Sequence, residues 1–332
     1  MVKILIDAFG GDNCPDCNIE GAIDALSRSS DIEIGLLGDE NTINSILAEK
    51  KFSDKRLSVI NATEVITLDE SPVMAVKRKK DSGIVKGIGL VKEKQADAFI
   101  SAGSSGAVLA GGTLLLGRIK GVKRPPLGSL IPTQKGVSFF LDMGANVDAD
   151  PLWLHQFAKM GSIYMNKVMG IEKPTVKLVN LGLEEEKGNK LVKEVNALLK
   201  QDSSLNYQGY CEAREVPYGT ADVIVTDAFT GNAMLKMFEG TAGLLLGTVK
   251  SVFKKNLLTK AGAALMLKTF KDAMRPYDVT KYGGAPLLGV NGIVIKCHGN
   301  ATRKEIANAV LQAETFAKSH VNDIIANAFE MN

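Results

Sequence analysis

The sequence predicts an α/β fold of three layers, in which a mainly parallel sheet lies between helices. Short apolar runs alternate with longer segments of helical period, which is the pattern of repeated strand–helix–strand units. Of the 332 residues, 45% are hydrophobic and 23% are charged, as in folded proteins with a substantial core. Polar residues and glycines gather directly after the predicted strands, where α/β folds bind ligands.

The apolar runs and the periodic segments place the elements in order along the chain. The predicted strands are 2–6, 34–37, 57–60, 98–101, 137–141, 176–180, 223–226 and 292–296. The predicted helices are 19–28, 41–50, 105–116, 151–168, 189–200, 230–253 and 303–328. The chain shows no internal repeat or linker, so we expect one catalytic α/β unit over residues 1–332.

Charge and apolar patterning exclude several classes of protein. The net charge is only +3, so we expect no nucleic-acid partner. Residues 98–141 and 240–271 nevertheless contain no acid, and their basic residues favour an anionic partner. No stretch approaches the ~18 apolar residues of a membrane span. The start of the chain lacks a signal-peptide pattern, so we expect an intracellular protein.

The four cysteines predict neither a disulfide framework nor a metal site. Cys14 and Cys17 form a CxxC, but no second pair completes a zinc site. We expect reduced thiols here, and neither metal nor cofactor.

A loop of small residues between a predicted strand and a predicted helix is the sharpest single signal. The first N–H groups of a helix are unpaired and carry partial positive charge, so such a turn suits phosphate. It matches neither a Walker loop nor GxGxxG, so a nucleotide is not implied. A helix that is merely well capped would look similar. The predicted phosphate-binding residues are Ser101, Gly103, Ser104, Ser105 and Gly106.

Polar residues follow the other predicted strands as well. They are Asp7, Gly10, Gly11 and Asp12 after the first strand, Asn146 after 137–141, Lys187 after 176–180, and Asp227 and Asn232 after 223–226. Each alone has a structural explanation as a cap, a turn or a solvated run. Because a parallel sheet gathers several strand ends at one edge, we expect substrate contacts there.

The C-terminal region adds a glycine pair and a histidine. Gly283 and Gly284 precede the last predicted strand, and His298 follows it beside a glycine. His298 could bind phosphate, act as an acid or base, or cap the next helix. His155 and His320 lie on predicted helices and are expected to pack or face solvent.

Residues 245–275 predict a cationic amphipathic helical hairpin. Apolar residues recur among its lysines, and those expected to contact an anionic membrane are Leu257, Leu258, Ala261 and Leu265. Subunit pairing explains the same pattern equally well, and both uses are compatible.

Taken together, these motifs resemble the phosphate acyltransferase family of bacterial phospholipid synthesis. The resemblance covers nearly the whole chain and rests on these segments: IDAFGGD, DESPVMAVKRKKDSG, ISAGSSGAVLAGG, RPPLGSLIPT, LDMGANVDADPLWLHQFAKMG, EEEKGN, ADVIVTDAFTGN and YGGAPLLGVNGIVIKCHGNA. The chain departs from the family pattern at Phe9, at Ser104 and Ser105, at Ala228, and within 209–215.

The resemblance implies a fold similar to the isocitrate and isopropylmalate dehydrogenases and to phosphotransacetylases. It implies transfer of a fatty acyl chain from acyl carrier protein to inorganic phosphate, which gives acyl phosphate for glycerol-3-phosphate acylation. A homodimer at the inner face of the cell membrane is expected. Acyl carrier protein is acidic, and basic segments 77–80 and 118–124 are candidate docking faces.

The resemblance and the strand-end positions together suggest individual roles. The reaction needs the phosphate to be positioned and the tetrahedral oxyanion, which forms when phosphate attacks the thioester, to be stabilised. Lys187 and His298 would therefore offset the charge of phosphate or donate to this oxyanion. Asn232 would orient the acyl carbonyl, and Asp227 would fix Asn232 or Lys187.

Three alternatives remain open at this point. They are a phosphotransacetylase or phosphotransbutyrylase that uses acyl-coenzyme A, a decarboxylating dehydrogenase of similar fold, and a membrane-associated scaffold with a degenerate pocket.

Overall fold

Residues 1–330, which the computed structural model describes, form two mainly parallel sheets with helices packed around them. In chain order the strands are β1 (Val2–Asp7), β2 (Ile32–Gly38), β3 (Leu57–Asn61), β4 (Ala98–Ser101), β5 (Ser129–Thr133), β6 (Gly136–Leu141), β7 (Thr175–Val179), β8 (Asn206–Cys211), β9 (Val223–Val225), β10 (Ala285–Pro286) and β11 (Ile293–Lys296). The helices are α1 (Asp16–Arg28), α2 (Glu40–Glu49), α3 (Pro72–Arg78), α4 (Gly83–Lys92), α5 (Ser105–Gly111), α6 (Pro151–Lys167), α7 (Lys190–Gln201), α8 (Ala228–Lys254), α9 (Leu257–Met274), α10 (Arg303–Lys318) and α11 (Val321–Glu330). A π-helical segment, Gly112–Leu116, continues α5.

The chain divides into two units by its internal contacts. Unit 1 comprises Met1–Ser129, Lys159–Lys173 and Thr280–Asn332, and unit 2 comprises Leu130–Ala158 and Pro174–Val279. The sequence predicted one catalytic unit, and that the two units work as one enzyme stays a prediction.

The sheet of unit 1 has the strand order β10-β11-β4-β1-β2-β3. Its strands pair in parallel except β10, which runs antiparallel to β11. Leu5, Phe99 and Val294 come from β1, β4 and β11 and are fully buried in one cluster with residues of α4 and α5. This burial supplies the main stabilisation of the central strands.

The sheet of unit 2 has the strand order β5-β6-β9-β7-β8. β9 lies between β6 and β7 and runs parallel to both, with Val223 opposite Phe139 and Val176. Phe140, Met143 and Ile224 form the centre of a second buried cluster. Each strand of the parallel core therefore delivers its carboxyl end to the same edge of this sheet.

A helical hairpin made of α8 and α9 lies in unit 2, and it includes the hairpin that the sequence predicted over residues 245–275. The rings of Phe253 and Phe270 meet edge to face across it, with centroids 6.0 Å apart. Asn256 and Thr259 form a reciprocal capping box that starts α9. None of the described residues of α9 is buried. Within residues 1–330, no helix combines the length and the apolar character needed to cross a bilayer.

Several elements differ from the prediction for identifiable physical reasons. The structure has two sheets where the sequence predicted one, because the strand patterns do not specify which strands pair. The predicted helix 303–328 is two helices, α10 and α11, since the chain turns at His320 with φ of 50°. The side-chain amide of Asn322 donates to the carbonyl of Gly292 at 2.9 Å and so ties the second helix to the end of the sheet.

The prediction also missed α3, α4, β5, β8 and β10. The segment of α4 contains three glycines, which disfavour a helix. A Cβ at Gly87 would lie 2.4 Å from the ring of Phe99, so the glycine permits close packing of α4 on the sheet. Tertiary packing therefore overrides the local preference.

Candidate functional site

Three neighbouring strands at the centre of unit 1 end in polar side chains. β4 pairs with β1 on one side and with β11 on the other, and Lys296 lies opposite Ser101 in the register. The carboxyl ends of β1, β4 and β11 therefore bring Asp7, Ser101 and Lys296 to one edge. The sequence predicted the first two as site residues and missed Lys296.

Asp7 and Ser101 form a buried hydrogen-bonded pair. The hydroxyl of Ser101 donates to Oδ2 of Asp7 at 2.7 Å and accepts the N–H of Gly103 at 3.0 Å. Burial raises the pKa of Asp7 to about 6, against the lowering effect of the Ser101 hydrogen bond. Since its proton already points at Asp7, the Ser101 hydroxyl organises the loop in this structure and does not offer that proton to a ligand.

The turn after β1 requires its two glycines. A Cβ on Gly10 would lie 2.5 Å from Oδ2 of Asp7 and 2.7 Å from the amide nitrogen of Gly103. Gly11 has φ of +100°, and a Cβ there would lie 2.8 Å from the carbonyl oxygen of Gly299. The glycines thus let three strand-end loops approach one another closely.

Asn18 on α1 fixes the same turn through its side chain. Its side-chain amide donates to the carbonyls of Asp7, Ala8 and Gly10 at 3.1, 3.0 and 2.8 Å. Asp12 joins the network through its backbone N–H, which donates to the carbonyl of Gly299 at 2.7 Å. Sequence reasoning missed Asn18, because it lies one residue before the predicted helix 19–28, where an asparagine is expected only to cap the helix.

The predicted phosphate loop leads directly into α5. The side chain of Ser104 accepts the N–H of Ala107 at 3.4 Å and caps the helix. Ser105 is exposed at the mouth of the loop. Gly106 lies against α3, since a Cβ there would be 2.5 Å from Cγ of Pro72. The N–H groups of Ser104, Ser105 and Gly106 have no acceptor among the described residues.

His298, Gly283 and Gly284 occupy different surroundings. His298 is exposed, and its carbonyl accepts the N–H of Ala301 at 3.0 Å. The glycine pair lies against α10, where Gln312 accepts the N–H of Gly284 at 2.9 Å and donates to its carbonyl at 3.1 Å. This contact explains the glycines structurally, and their predicted contact with substrate stays a prediction.

In unit 2, a buried carboxylate that was not among the predicted site residues holds Asn146 in place. Asp142 follows β6 and is fully buried. It accepts the backbone N–H groups of Gly144, Ala145 and Asn146 at 3.1, 3.0 and 2.9 Å and the side-chain amide of Asn146 at 2.7 Å. The loop that carries Asn146 is therefore folded around this carboxylate.

Asp227 caps the long helix α8. Its carboxylate accepts the N–H and the hydroxyl of Thr230 at 2.9 and 2.8 Å. Asn232 is exposed one turn further along. No hydrogen bond joins Asp227 to Asn232 or Lys187 in the described part of the chain, so the predicted fixing role has no direct contact to support it.

Lys187 is half-exposed in the turn after β7. Its ammonium lies 2.9 Å from Oε1 of Glu184, and this hydrogen bond raises the pKa of Lys187. The side-chain amide of Asn180 donates to the carbonyl of Lys187 at 3.3 Å and fixes the turn. Lys187 is therefore a charged, accessible group on a structured turn.

Comparison with known proteins identifies the family. A family model described as "Fatty acid synthesis protein" matches residues 2–324. A phosphate acyltransferase of Clostridium beijerinckii is 46% identical over 329 residues, with 99% of both chains covered. One of Alkaliphilus oremlandii is 49% identical over 325 residues, with 98% of this chain and 96% of its relative covered.

Solved structures support the fold. A phosphotransacetylase from Streptococcus pyogenes superposes with a TM-score of 0.61 at 16% identity, covering 96% of this chain and 94% of that one. A putative 4-hydroxythreonine-4-phosphate dehydrogenase from Salmonella typhimurium gives 0.53 at 12% identity, covering 95% and 99%. At such low identity these likenesses concern the fold alone. The family match and the full-length relatives, by contrast, show that the chain belongs to the phosphate acyltransferase family and is an enzyme of that class.

Proposed function

We propose that the chain transfers a fatty acyl group from acyl carrier protein to inorganic phosphate, which binds at the loop of residues 102–106. The observation that carries this proposal is the set of unpaired N–H groups on Ser104, Ser105 and Gly106 at the carboxyl end of the central strand β4. These groups sit at the positive end of α5 and would bind an oxyanion without any change of side chains.

The atoms and charges of the proposed acyl transfer balance without a cofactor. An oxygen of hydrogen phosphate attacks the thioester carbonyl, a C–O bond forms and the C–S bond breaks. The phosphate proton passes to the departing thiolate, which leaves as a thiol. The protein therefore needs to hold the nucleophile and stabilise the tetrahedral oxyanion. For these tasks we propose His298, Lys187 and Asn232, the last to orient the acyl carbonyl.

An assay of acyl phosphate, trapped with hydroxylamine, tests the reaction and the position of the phosphate site. With phosphate and acyl-acyl-carrier-protein, the wild-type protein should form acyl phosphate. Ser105→Glu adds a negative charge at the mouth of the loop and should raise the KM for phosphate about tenfold or more. Lys187→Ala should lower kcat/KM by about a hundredfold, because one charge at the oxyanion is lost.

Lys190→Ala is the matched control for Lys187→Ala, since Lys190 is 88% exposed and makes only a loose pair with Glu194 at 3.7 Å. An intact rate in Lys187→Ala or His298→Ala would remove that residue from the scheme. Product from coenzyme A thioesters alone would favour a phosphotransacetylase-like activity, and the absence of acyl phosphate with either donor would refute the proposed reaction.

The basic face of α3 is our candidate for docking the acidic acyl carrier protein. Lys77 and Arg78 are exposed in its last turn, and Val73 and Met74 are 43% and 42% exposed on the same helix. α3 packs on the first turn of α5 through Pro72, so this helix borders the phosphate loop. Lys79 of the same basic segment is already bound to Glu70 at 2.7 Å.

Charge reversal at Lys77→Glu/Arg78→Glu should raise the KM for acyl-acyl-carrier-protein about tenfold at low salt, and much less at 0.5 M salt, because screening weakens the attraction. The KM for phosphate should stay within about twofold. Lys120→Glu serves as control on the other basic segment, where the ammonium is exposed and 3.9 Å from Glu330. A larger effect from Lys120→Glu would move the docking face to that segment.

We further propose that the α8–α9 hairpin brings the enzyme to the inner face of the membrane and pairs its subunits. Leu257, Leu258 and Leu265 are 84%, 86% and 86% exposed, and Ala261 is exposed beside them. Lysines flank these apolar side chains, which suits an anionic bilayer surface. An acyl phosphate released there could pass directly to an enzyme that acylates glycerol 3-phosphate.

Flotation with anionic liposomes tests the membrane proposal. Leu257→Glu/Leu258→Glu should reduce the bound fraction by about tenfold, because two apolar contacts become charges of the same sign as the lipid. Leu68→Glu, at a side chain 77% exposed outside the hairpin, should leave flotation unchanged. If flotation of the double variant were normal while its dimer dissociated, the apolar tip would be a subunit contact instead.

A further inference from the structure

A buried lysine lies directly behind the proposed phosphate loop. Lys296 is the last residue of β11 and is 8% exposed. Its ammonium donates to the carbonyl of Ala102 at 3.3 Å and to the carbonyl of Cys297. The lysine therefore bonds to the first residue of the loop and to its own strand end.

The carbonyl of Ala102 and the N–H of Gly103 belong to the same peptide group. That N–H donates to Oγ of Ser101 at 3.0 Å, and Ser101 donates in turn to Asp7 at 2.7 Å. One peptide group is thus held at its oxygen by a buried ammonium and at its nitrogen by a hydroxyl bound to a buried carboxyl. We term this arrangement the peptide clamp: Lys296, the Ala102–Gly103 peptide, Ser101 and Asp7.

Neighbouring loops leave the clamped peptide little freedom. The N–H of Cys297 donates to the carbonyl of Ser101 at 2.9 Å, one residue before the peptide. A Cβ on Gly11 would lie 2.9 Å from Cβ of Ala102. The orientation of the Ala102–Gly103 peptide in turn determines where the next amides, those of Ser104 and Ser105, point.

A lysine in this position has a physical cost. Burial disfavours its charged form and lowers the pKa of Lys296, while the charges of Asp7 and Asp12 oppose that shift. Hydrogen bonds from an ammonium to a carbonyl in a water-poor setting are strong and directional. An apolar residue would fill the end of β11 at lower cost, but it could not hold the carbonyl of Ala102.

We propose that Lys296 is a positioning residue of the phosphate loop: by fixing the Ala102–Gly103 peptide, it sets the affinity of the enzyme for inorganic phosphate. The proposal rests on the proposed function, in which this loop binds phosphate. Lys296 itself touches no substrate and acts through the loop amides.

Steady-state kinetics of the full-length enzyme test the proposal. Lys296→Met, which keeps the length of the side chain and removes its charge, should raise the KM for phosphate about tenfold to a hundredfold. The KM for acyl-acyl-carrier-protein and kcat at saturating phosphate should stay within about threefold. Lys296→Arg, which keeps a donor and a charge, should recover part of the loss.

Lys177→Met is the matched control, since Lys177 is also a strand lysine, although half-buried, and donates to the hydroxyl of Thr220 at 3.0 Å in unit 2. It should leave the KM for phosphate unchanged. An unchanged KM for phosphate in folded Lys296→Met would overturn the proposal. So would an equal rise in the KM values for phosphate and for the thioester, if the unfolding midpoint fell no further than in Lys177→Met, because the effect would then not be specific to phosphate.

Two further variants keep the test decisive. If Lys296→Met fails to fold, Lys296→Arg alone must still raise the KM for phosphate at least about threefold without changing the KM for the thioester, and an unchanged value counts against the clamp. Ser105→Glu distinguishes a failure of the proposed role of Lys296 from a failure of the proposed phosphate site. A raised KM in Ser105→Glu with a normal KM in Lys296→Met refutes only the role of Lys296, whereas no effect in Ser105→Glu refutes the phosphate site itself.

Discussion

Gly10→Ala should lower kcat/KM for phosphate by at least about a hundredfold, because the added methyl group would enter the centre of the strand-end network. Its Cβ would lie 2.5 Å from Oδ2 of Asp7, 2.7 Å from the nitrogen of Gly103 and 3.0 Å from Oγ of Ser101. Contacts this short force the two loops apart and reorient the amides that would hold phosphate. Hydroxylamine trapping across a range of phosphate concentrations measures the loss.

Gly89→Ala provides the control for Gly10→Ala within the same unit. A Cβ at Gly89, in the middle of α4, would meet no atom of the described residues within 4 Å. The substitution should therefore stabilise the protein by about 0.5–1 kcal/mol through helix propensity and leave the kinetics unchanged. Wild-type kinetics in a folded Gly10→Ala protein would show that the Asp7–Gly103 contact has no part in phosphate use.

Asp142→Ala should lower the free energy of unfolding by about 3 kcal/mol or more, the largest stability effect that we expect from one side chain. The fully buried carboxylate accepts four hydrogen bonds from Gly144, Ala145 and Asn146 in the loop after β6, and the substitution leaves those donors without their acceptor. Urea titration followed by circular dichroism gives the change.

Asp148→Ala is the matched control for Asp142→Ala, because Asp148 lies in the same loop and is exposed. Its effect should stay within about 0.5 kcal/mol. Equal effects of the two substitutions would contradict the view that hydrogen bonding to a buried carboxylate, and not the charge of the loop, stabilises this region.

Strand ends were the most predictable part of the site. Asp7 and Ser101 stand out in the sequence because each is polar and follows an apolar run, and parallel topology then brings such positions together. Lys296 follows an equally apolar run, yet a lysine at the end of a strand usually reaches solvent. Only the pairing of β11 with β4 shows that its ammonium is buried against the loop.

Other features were unpredictable because they depend on contacts distant in sequence. Asn18 and Asp142 act by collecting backbone hydrogen bonds, and the pattern around them does not reveal which groups they reach. The division into two sheets depends on strand pairing, which periodicity leaves open. The interruption at His320 has no glycine or proline to mark it, and the contact of Asn322 with Gly292 becomes visible only in three dimensions.

The uninterrupted helix α8 fixes a distance within unit 2. It runs for 27 residues from the cap at Asp227 to Lys254 and is therefore about 40 Å long. At its start, Gly231 lies so close to the carbonyl of Asp142 that a Cβ would be only 2.0 Å from that oxygen. The helix is thus anchored at one end and acts as a rigid spacer. A surface that binds the Leu257–Leu258 tip is therefore kept about six helical turns from Asn232.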